Sequence, residues 1–256
     1  MTASRTARRC AQVLLWVGGL LLAGATAAKS PPPLELRAGA RIGLVTVLDA
    51  EVTHFHAAGR VQDNFLKTHE VPWRVDLMLG DALGSALTTL GLVPAPLPAS
   101  EALRGSREQC FLDANLAKPL SRECAAPYAQ LAATQRLDAI IVLGPGMNNS
   151  AHAGDSRRKE LPEYLRGWCV LTDSRDSAGM PALLNLTEML VIAITPQGPA
   201  LAGREWGGAT AGAWTAFAAT PDPRLTVARL APSQSLFAAM LTGQAERLLA
   251  QLRVAR

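Results

Sequence analysis

The strongest constraint on the fold is an uninterrupted apolar run in the middle of the chain. It extends from Ala139 to Leu143, directly after Asp138, and contains no polar residue. A strand with one face in water alternates apolar and polar side chains, whereas a run that is apolar throughout is typical of a strand buried on both faces. We therefore expect a sheet in which residues 138–143 form a central, buried strand.

Other apolar segments rich in β-branched residues predict the strands around this one. Residues 41–48 predict one strand, and residues 51–58 alternate as a second strand that forms a hairpin with the first. Three later strands are predicted over residues 167–172, 182–195 and 201–206. The last two are separated by a short turn, so we expect them to pair as a hairpin.

Three segments have the periodicity of amphipathic helices. The clearest covers residues 75–90, where apolar residues recur at spacings of three and four and Gly91 follows as a helix stop. Residues 92–93 then begin a short strand, which the prolines that follow are expected to break. A second helix surrounds residues 125–132, and a third begins near Ser233.

The order of these elements predicts the fold class. We expect one α/β (α+β) domain over residues 41–256, with a single mixed β-sheet packed with about three helices. Residues 100–122 are ambiguous between a short helix and a loop. Residues 28–40 include three consecutive prolines and predict a stiff, extended tether before the domain.

The N-terminus has the pattern of a secretory signal. Arginines at positions 5, 8 and 9 precede an apolar run over residues 13–25, and small residues follow. The run is shorter than the roughly 20 residues that a membrane-spanning helix needs. We expect residues 1–27 to be removed by cleavage after Ala27, leaving a periplasmic protein without a stable membrane span. The alternative is an uncleaved anchor.

The charge of the mature chain argues against a nucleic-acid partner. The whole chain carries 25 basic and 21 acidic residues, and the three arginines of the leader reduce the mature balance to 22 against 21. A nucleic-acid-binding surface needs clustered excess positive charge. The only basic triplet, residues 157–159, is followed at once by Glu160. We expect this triplet to lie in a solvated loop, and we expect no nucleic-acid partner.

Three cysteines remain in the predicted mature chain, at Cys110, Cys124 and Cys169. An oxidising compartment allows one disulfide and leaves one thiol over. Spacing alone permits three pairings, and we favour Cys110 with Cys124 because they flank a short segment with little helical pattern. The sequence has no Cys-x-x-Cys spacing, so it does not support a thioredoxin-like redox role.

One pair of histidines has the spacing of metal ligands. His54 and His56 lie two residues apart in a predicted strand, so both rings face the same side of the sheet. Both rings could reach one metal ion, with His69, Asp63 or Glu70 as further ligands. The alternative interpretation is a pair of structural histidines on an edge strand.

Sequence motifs of catalysis are largely missing. The chain contains no GxSxG elbow, no HExxH pair, no Walker A loop and no GxGxxG fingerprint. The triplet Gly154-Asp155-Ser156 is similar to the nucleophile block of GDS-type esterases, but it lies in mid-chain and no histidine follows His152. We interpret it as a bare loop, and we predict no catalytic residue and no cofactor.

The arrangement of elements resembles a group of bacterial envelope proteins. The similarity is carried by the strand at residues 41–48, the helix at 76–92, the helix and strand at 128–143 and the hairpin at 184–206. This pattern resembles the N-terminal domain of the Tol-Pal translocation protein, the activator lipoproteins of penicillin-binding proteins and curli-secretion-type lipoproteins. The resemblance extends over residues 40–256 and implies a binding or assembly domain. It carries over no functional residue.

Two hypotheses for the function follow. The first is a non-catalytic periplasmic adaptor, a binding or assembly protein that contacts an envelope protein through a sheet edge or the loop at residues 144–162. The alternative is a metal- or small-ligand-binding periplasmic protein, with hydrolases included, that uses His54, His56 and His69.

Overall fold

The structure is a computed structural model that describes residues 34–57, 64–110, 120–146, 165–173, 182–207, 209–210 and 226–255. The predicted signal peptide, residues 1–27, lies outside the described residues. The strands are β1 (Leu34–Arg37), β2 (Arg41–Thr46), β3 (Glu51–Ala57), β4 (Phe65–Glu70), β5 (Val93–Leu97), β6 (Ala139–Pro145), β7 (Gly167–Asp173), β8 (Ala182–Thr195), β9 (Gly198–Trp206), β10 (Ala209–Thr210) and β11 (Leu252–Ala255). The helices are α1 (Val75–Thr89), α2 (Glu101–Cys110), α3 (Arg122–Gln135), α4 (Val227–Leu230), a 3-10 turn (Ala231–Ser233) and α5 (Gln234–Leu249).

The apolar run at the centre of the sequence is the buried interior strand β6, as predicted. It lies between β2, to which it is parallel, and β8, to which it is antiparallel. Ile141 is inaccessible to solvent and packs into a core formed with α1 and α5, whereas its neighbours Ile140 and Val142 pack into a core formed with α2 and α3. The sheet is therefore covered by helices on both faces, which explains why no polar residue interrupts the run.

The predicted fold class, a mixed sheet packed with helices, is confirmed. Helix α1 covers the predicted segment and buries one apolar stripe against the sheet, and Gly91 follows it with a φ of 76°. A left-handed residue at this position favours glycine, because a Cβ would raise the energy of that conformation. Helix α5 covers the same face of the sheet through Phe237 and Leu241.

Within the described residues the main sheet has nine strands, which form two groups that share β8. One group contains β3, β4, β7 and β10, and the other contains β2, β5, β6 and β9. The order along the sheet is β4-β3-β7-β8-β6-β2-β5, and both β9 and β10 also pair with β8. The first half of β8 pairs with β7 and β10, and the second half pairs with β6 and β9. The predicted hairpin of residues 182–195 and 201–206 is therefore confirmed as β8 and β9.

The predicted hairpin between residues 41–48 and 51–58 is wrong. Strand β2 pairs with β5 on one edge and with β6 on the other, while β3 pairs with β4 and β7. Both edges of β2 are thus occupied by parallel strands, so no backbone groups remain for β3. The chain leaves β2 at Val47, whose N–H donates to Leu143 O at 2.8 Å, and β3 belongs to the other group of strands.

Strand β5 continues through two prolines that were expected to break it. The N–H of Val93 donates to Ala40 O at 2.9 Å, on the side of β2. Because N–H groups alternate between the two edges of a strand, the nitrogens of Pro94 and Pro96 point to the outer edge, where none of the described strands lies. The prolines cost no ladder hydrogen bond at this edge, and they remove the donors that another strand would need.

Three further segments differ from the predictions. Residues 65–70 form β4, for which no strand was predicted. Leu34–Arg37 lies in the predicted tether but forms β1, which pairs in parallel with β11 near the C-terminus of the chain. Strand β11 was not predicted either, and it begins at Leu252, after α5 ends at Leu249. Each of these strands is short or lies at an edge, where sequence periodicity is weakest.

The predicted disulfide is confirmed. Cys110 at the end of α2 and Cys124 in the first turn of α3 are bonded, with a Cα–Cα distance of 5.7 Å, and Cys169 is a buried free thiol. The bond joins two helices on the same face of the sheet, and a stable disulfide is typical of an extracytoplasmic protein. Within the described residues, no helix is both long enough and apolar enough to cross a membrane.

Replacing Cys110 and Cys124 together by alanine should lower the free energy of unfolding by about 3 kcal/mol, because the bond closes a short loop and restricts the unfolded chain. Urea unfolding of both proteins, with and without reductant, measures the loss. Reductant should bring the native protein to the stability of the variant and leave the variant unchanged. Equal stability of the two proteins without reductant would contradict this role.

Candidate functional site

The described residues enclose a cleft where the two groups of strands separate. It has a volume of about 220 Å³ and lies at the carboxyl ends of β2 and β6, beside the beginnings of β3 and β7. Its apolar wall contains Val47, Leu48, Pro145 and Trp168. In α/β sheets, ligands bind at the carboxyl ends of parallel strands, because the loops that follow these strands diverge there.

The polar lining of the cleft is rich in charge. Arg104 and Arg107 come from α2, Arg166 directly precedes β7, and Asp49 and Glu51 lie between β2 and β3. The two arginines of α2 are three residues apart, so they project from the same side of the helix. Three guanidinium groups from two distant parts of the chain therefore face one small cavity.

Arg104 is held against the end of β2. Its Nη1 donates to Asp49 Oδ1 at 2.8 Å and to Val47 O at 3.2 Å. Both Arg104 and Asp49 are partly exposed, so this ion pair contributes little to the stability of the fold. Its main consequence is geometric, because it fixes the guanidinium at the mouth of the cleft.

Arg107 is anchored more deeply, in a buried group of three charges. Its Nη2 donates to Pro145 O at 3.1 Å and pairs with Glu188, and the other oxygen of Glu188 lies 2.8 Å from Nε of Arg204. The side chains of Arg107 and Glu188 are 5% and 2% exposed. One buried carboxylate thus joins α2, β8 and β9.

Burial and neighbouring charge act on the titration of these groups. Burial lowers the pKa of Arg107, and the positive charges of Arg204 and Arg166 lower it further, while Glu188 opposes the shift. Burial raises the pKa of Glu188, and the two guanidinium groups oppose that shift. A second anion near Arg107 and Arg166 would relieve the repulsion between the cations.

Gly144 makes this arrangement of charges possible. It lies directly opposite Glu188 in the pairing of β6 with β8, on the face covered by α2 and α3. A Cβ at this position would lie 3.0 Å from Nε of Arg107 and 3.0 Å from Cγ2 of Val47. The missing side chain therefore gives the Arg107 guanidinium room to cross β6 and reach the carboxylate.

Sequence analysis missed this cleft, although one signal for it was present. Glu188 lies in the predicted strand at residues 182–195, and it shares the parity of Leu186 and Leu190, which are buried. A charged residue at an apolar position of a buried strand requires a partner of opposite charge. The partner Arg107 could not be identified, because it belongs to the segment that was ambiguous between helix and loop.

The predicted metal ligands lie elsewhere, on β3 and β4. His54 and His56 face the same side of β3, as expected. One nitrogen of each ring contacts the hydroxyl of Thr172 on β7, Nε2 of His54 at 2.8 Å and Nδ1 of His56 at 2.7 Å. His69 lies on β4 opposite Val52. The hydroxyl can donate to one ring and accept from the other, so it satisfies one nitrogen of each histidine.

Burial strongly affects these histidines. His54 is inaccessible to solvent, and burial, assisted by the nearby His56, His69 and Lys67, lowers its pKa to about 4. Burial also lowers the pKa of His69, as does the charge of Lys67. Neither Nδ1 of His54 nor Nε2 of His69 has a hydrogen-bond partner within the described residues. The neutral form of both rings is therefore favoured in the folded protein.

The structure does not gather the three histidines into one ligand set. Within the part of the chain that is described, no three His, Cys, Asp or Glu side chains lie close enough together to hold a metal ion. Of the further ligands considered, Glu70 is exposed at the end of β4 and Asp63 lies outside the described residues. The contacts of His54 and His56 with Thr172 instead link β3 to β7.

Glu188→Gln should destabilise the protein by about 3–5 kcal/mol, because it removes the buried carboxylate charge that pairs with Arg107 and Arg204. Glu205→Gln is a matched control, since Glu205 pairs with the half-exposed Arg247 and should contribute less than about 1 kcal/mol. Urea unfolding at pH 7 compares the two variants. Equal losses would contradict the role of the buried charges.

Lowering the pH from 7 to 5 should destabilise the native protein by about 1–2 kcal/mol through His54. The pKa of this ring is about 4 in the folded state and near 6.5 when unfolded. Stability is therefore complete above pH 6.5 and is lost as the pH falls towards 4. Unfolding of His54→Gln at both pH values should show a smaller pH dependence, whereas an unchanged dependence would exclude His54 as its source.

Comparison with protein-family models, with curated protein sequences and with solved structures finds no match to this chain. The resemblance of residues 40–256 to periplasmic envelope domains therefore stays a prediction.

Proposed function

We propose that this protein is a non-catalytic binding or assembly protein of the cell envelope, which works in the periplasm and contacts its partner at the cleft between the two groups of strands. The single observation that carries this proposal is the cleft itself, with its charged and apolar lining at the carboxyl ends of β2 and β6. Its position is the one at which sheets of parallel strands bind ligands.

The arginines of the cleft are suited to holding a partner more than to transforming it. Its cationic side chains are Arg104, Arg107 and Arg166. A guanidinium stays protonated at any physiological pH, so it can bind and orient an anion but cannot serve as a general acid or base. Arg104 and Arg107 are also held in place by hydrogen bonds to backbone carbonyls and carboxylates. Fixed donors of this kind suit recognition.

Two residues of the cleft lining flank the loop that was predicted to contact a partner. They are Pro145 at the end of β6 and Gly167 at the start of β7. From residue 147 to its end at residue 162, the loop itself lies outside the described residues.

Two features support a location outside the cytoplasm. The pattern of residues 1–27 predicts export, and the bond between Cys110 and Cys124 is of the kind that oxidising compartments maintain. A periplasmic location also agrees with the resemblance to envelope domains. An envelope protein is the partner class that these features favour.

Site-specific photo-cross-linking in cells tests the proposal. A photoreactive residue at Glu51, exposed at the cleft, should form a reproducible adduct with an envelope protein, which mass spectrometry identifies. The same residue at Leu77, exposed on α1, is the matched control and should give no such adduct. Adducts at position 77 alone, or at neither position, would overturn the cleft as the contact surface.

A further inference from the structure

The three arginines of the cleft converge on one volume from independent supports. Arg104 and Arg107 extend from one side of α2, whose end is tied to α3 by the disulfide at Cys110. Arg166 approaches from the beginning of β7. Hydrogen bonds to Val47 O, Asp49 and Pro145 O hold the guanidinium groups of Arg104 and Arg107 in place without a bound ligand. Preorganised donors lose little conformational entropy on binding, which favours affinity.

The charges in the cleft are unequally balanced. Arg104 is paired with Asp49 and Arg107 with Glu188. Arg166 is exposed and has no carboxylate partner within the described residues, and its charge repels that of Arg107. The space between Arg166 and the two arginines of α2 is therefore the part of the cleft where an added anion is most stabilised.

The negative groups in the same cleft limit the charge of that anion. Asp49 and Glu51 both line the cavity. Arg104 is already paired with Asp49, and Arg107 with Glu188. Among the described residues of the cleft, one guanidinium charge, that of Arg166, is therefore left for an added anion to balance. A carboxylate also fits the planar, two-pronged donor geometry of a guanidinium. The lining thus selects for a single carboxylate.

The rest of the cleft lining is apolar, and it indicates which chemical group the ligand carries beside its carboxylate. The apolar part of the lining consists of Val47, Leu48, Pro145 and Trp168. The indole of Trp168 itself packs against Trp73 and Phe237 in the core. A ligand that places its carboxylate near Arg166 can bury an apolar or aromatic group against this lining. A cavity of about 220 Å³ accommodates a small molecule or one end of a larger one.

Given the proposed function, on which this step rests, we infer that the cleft binds the carboxylate of an apolar organic acid or of a polypeptide C-terminus. Arg104 and Arg166 bind the carboxylate at the mouth, and Arg107 provides a fixed positive charge behind it. The free acid and the chain end present the same chemical group to the arginines, so the experiment uses a probe for each.

Isothermal titration of the full chain with phenylacetate, at pH 7 and constant ionic strength, tests the assignment. Phenylacetamide has the same shape without the charge, and phosphate carries more charge without the ring. We expect saturable binding of phenylacetate and none of the other two. Equal binding of phenylacetamide, preference for phosphate, or no binding of phenylacetate would each overturn the assignment.

An acetylated dipeptide ending in phenylalanine distinguishes the two sources of the carboxylate. Tighter binding of its free acid than of phenylacetate supports a polypeptide C-terminus, whereas binding of phenylacetate alone supports a free organic acid. The C-terminal amide of the dipeptide is the control and should not bind. Binding of the amide as tight as that of the acid would overturn recognition of the carboxylate.

Two variants locate the binding at the cleft. Arg104→Gln and Arg166→Gln should each weaken the binding of phenylacetate by about tenfold or more, because each removes a charged donor. Arg253→Gln, an exposed substitution on β11 away from the cleft lining, should bind as the native protein does. Thermal unfolding confirms that all three variants are folded, since Arg107 and its buried partners are left intact.

Equal affinity of all three variants and the native protein would place the carboxylate elsewhere and overturn the inference. The proposed function has a separate readout, the adduct at position 51. If phenylacetate does not bind but that adduct forms, the cleft is a protein contact surface without carboxylate recognition. If neither is observed, both the ligand class and the proposed function fail.

Discussion

Strand β8 is the constraint on which the rest of the molecule depends. Its 14 residues pair with four other strands, β7 and β10 along the first half and β6 and β9 along the second. One group of strands is held between helices on both faces, and the other group carries the histidines. The cleft lies where β6 ends and β7 begins, beside the point at which β8 passes from one group to the other.

Strand β8 also carries the buried carboxylate that positions an arginine of the cleft. Glu188 places a carboxylate on the face of the sheet that α2 covers, and Arg107 and Arg204 pair with it there. Desolvation of three charged groups is costly, and the cost is offset only when their geometry is fixed. The same residues that fix α2 on the sheet therefore also fix the charge at the base of the cleft. The packing of α2 and the charge at the base of the cleft thus depend on one interaction.

The residues that the sequence singled out differ from those that line the cleft, for a physical reason. His54 and His56 have a ligand-like spacing because side chains two apart on a strand share a face, and the structure confirms that they do. Spacing along one strand does not reveal which residue lies opposite on the neighbouring strand. Here that residue is Thr172 on β7. The arginines of the cleft come from separate segments of the chain, so no local pattern could connect Arg107 with Arg166.

The sequence alone determined the elements whose side-chain period follows from backbone geometry: the buried strand β6, the long strand β8 with its turn into β9, the helix that stops at Gly91, and the fold class that these elements imply. Only the tertiary structure decided which edges pair and which charges meet. Pairing is non-local: β3 could not join β2 because β5 and β6 already occupied both of its edges. Because β3 pairs with β7 and not with β2, the cleft lies between the ends of β2 and β6 and the beginnings of β3 and β7.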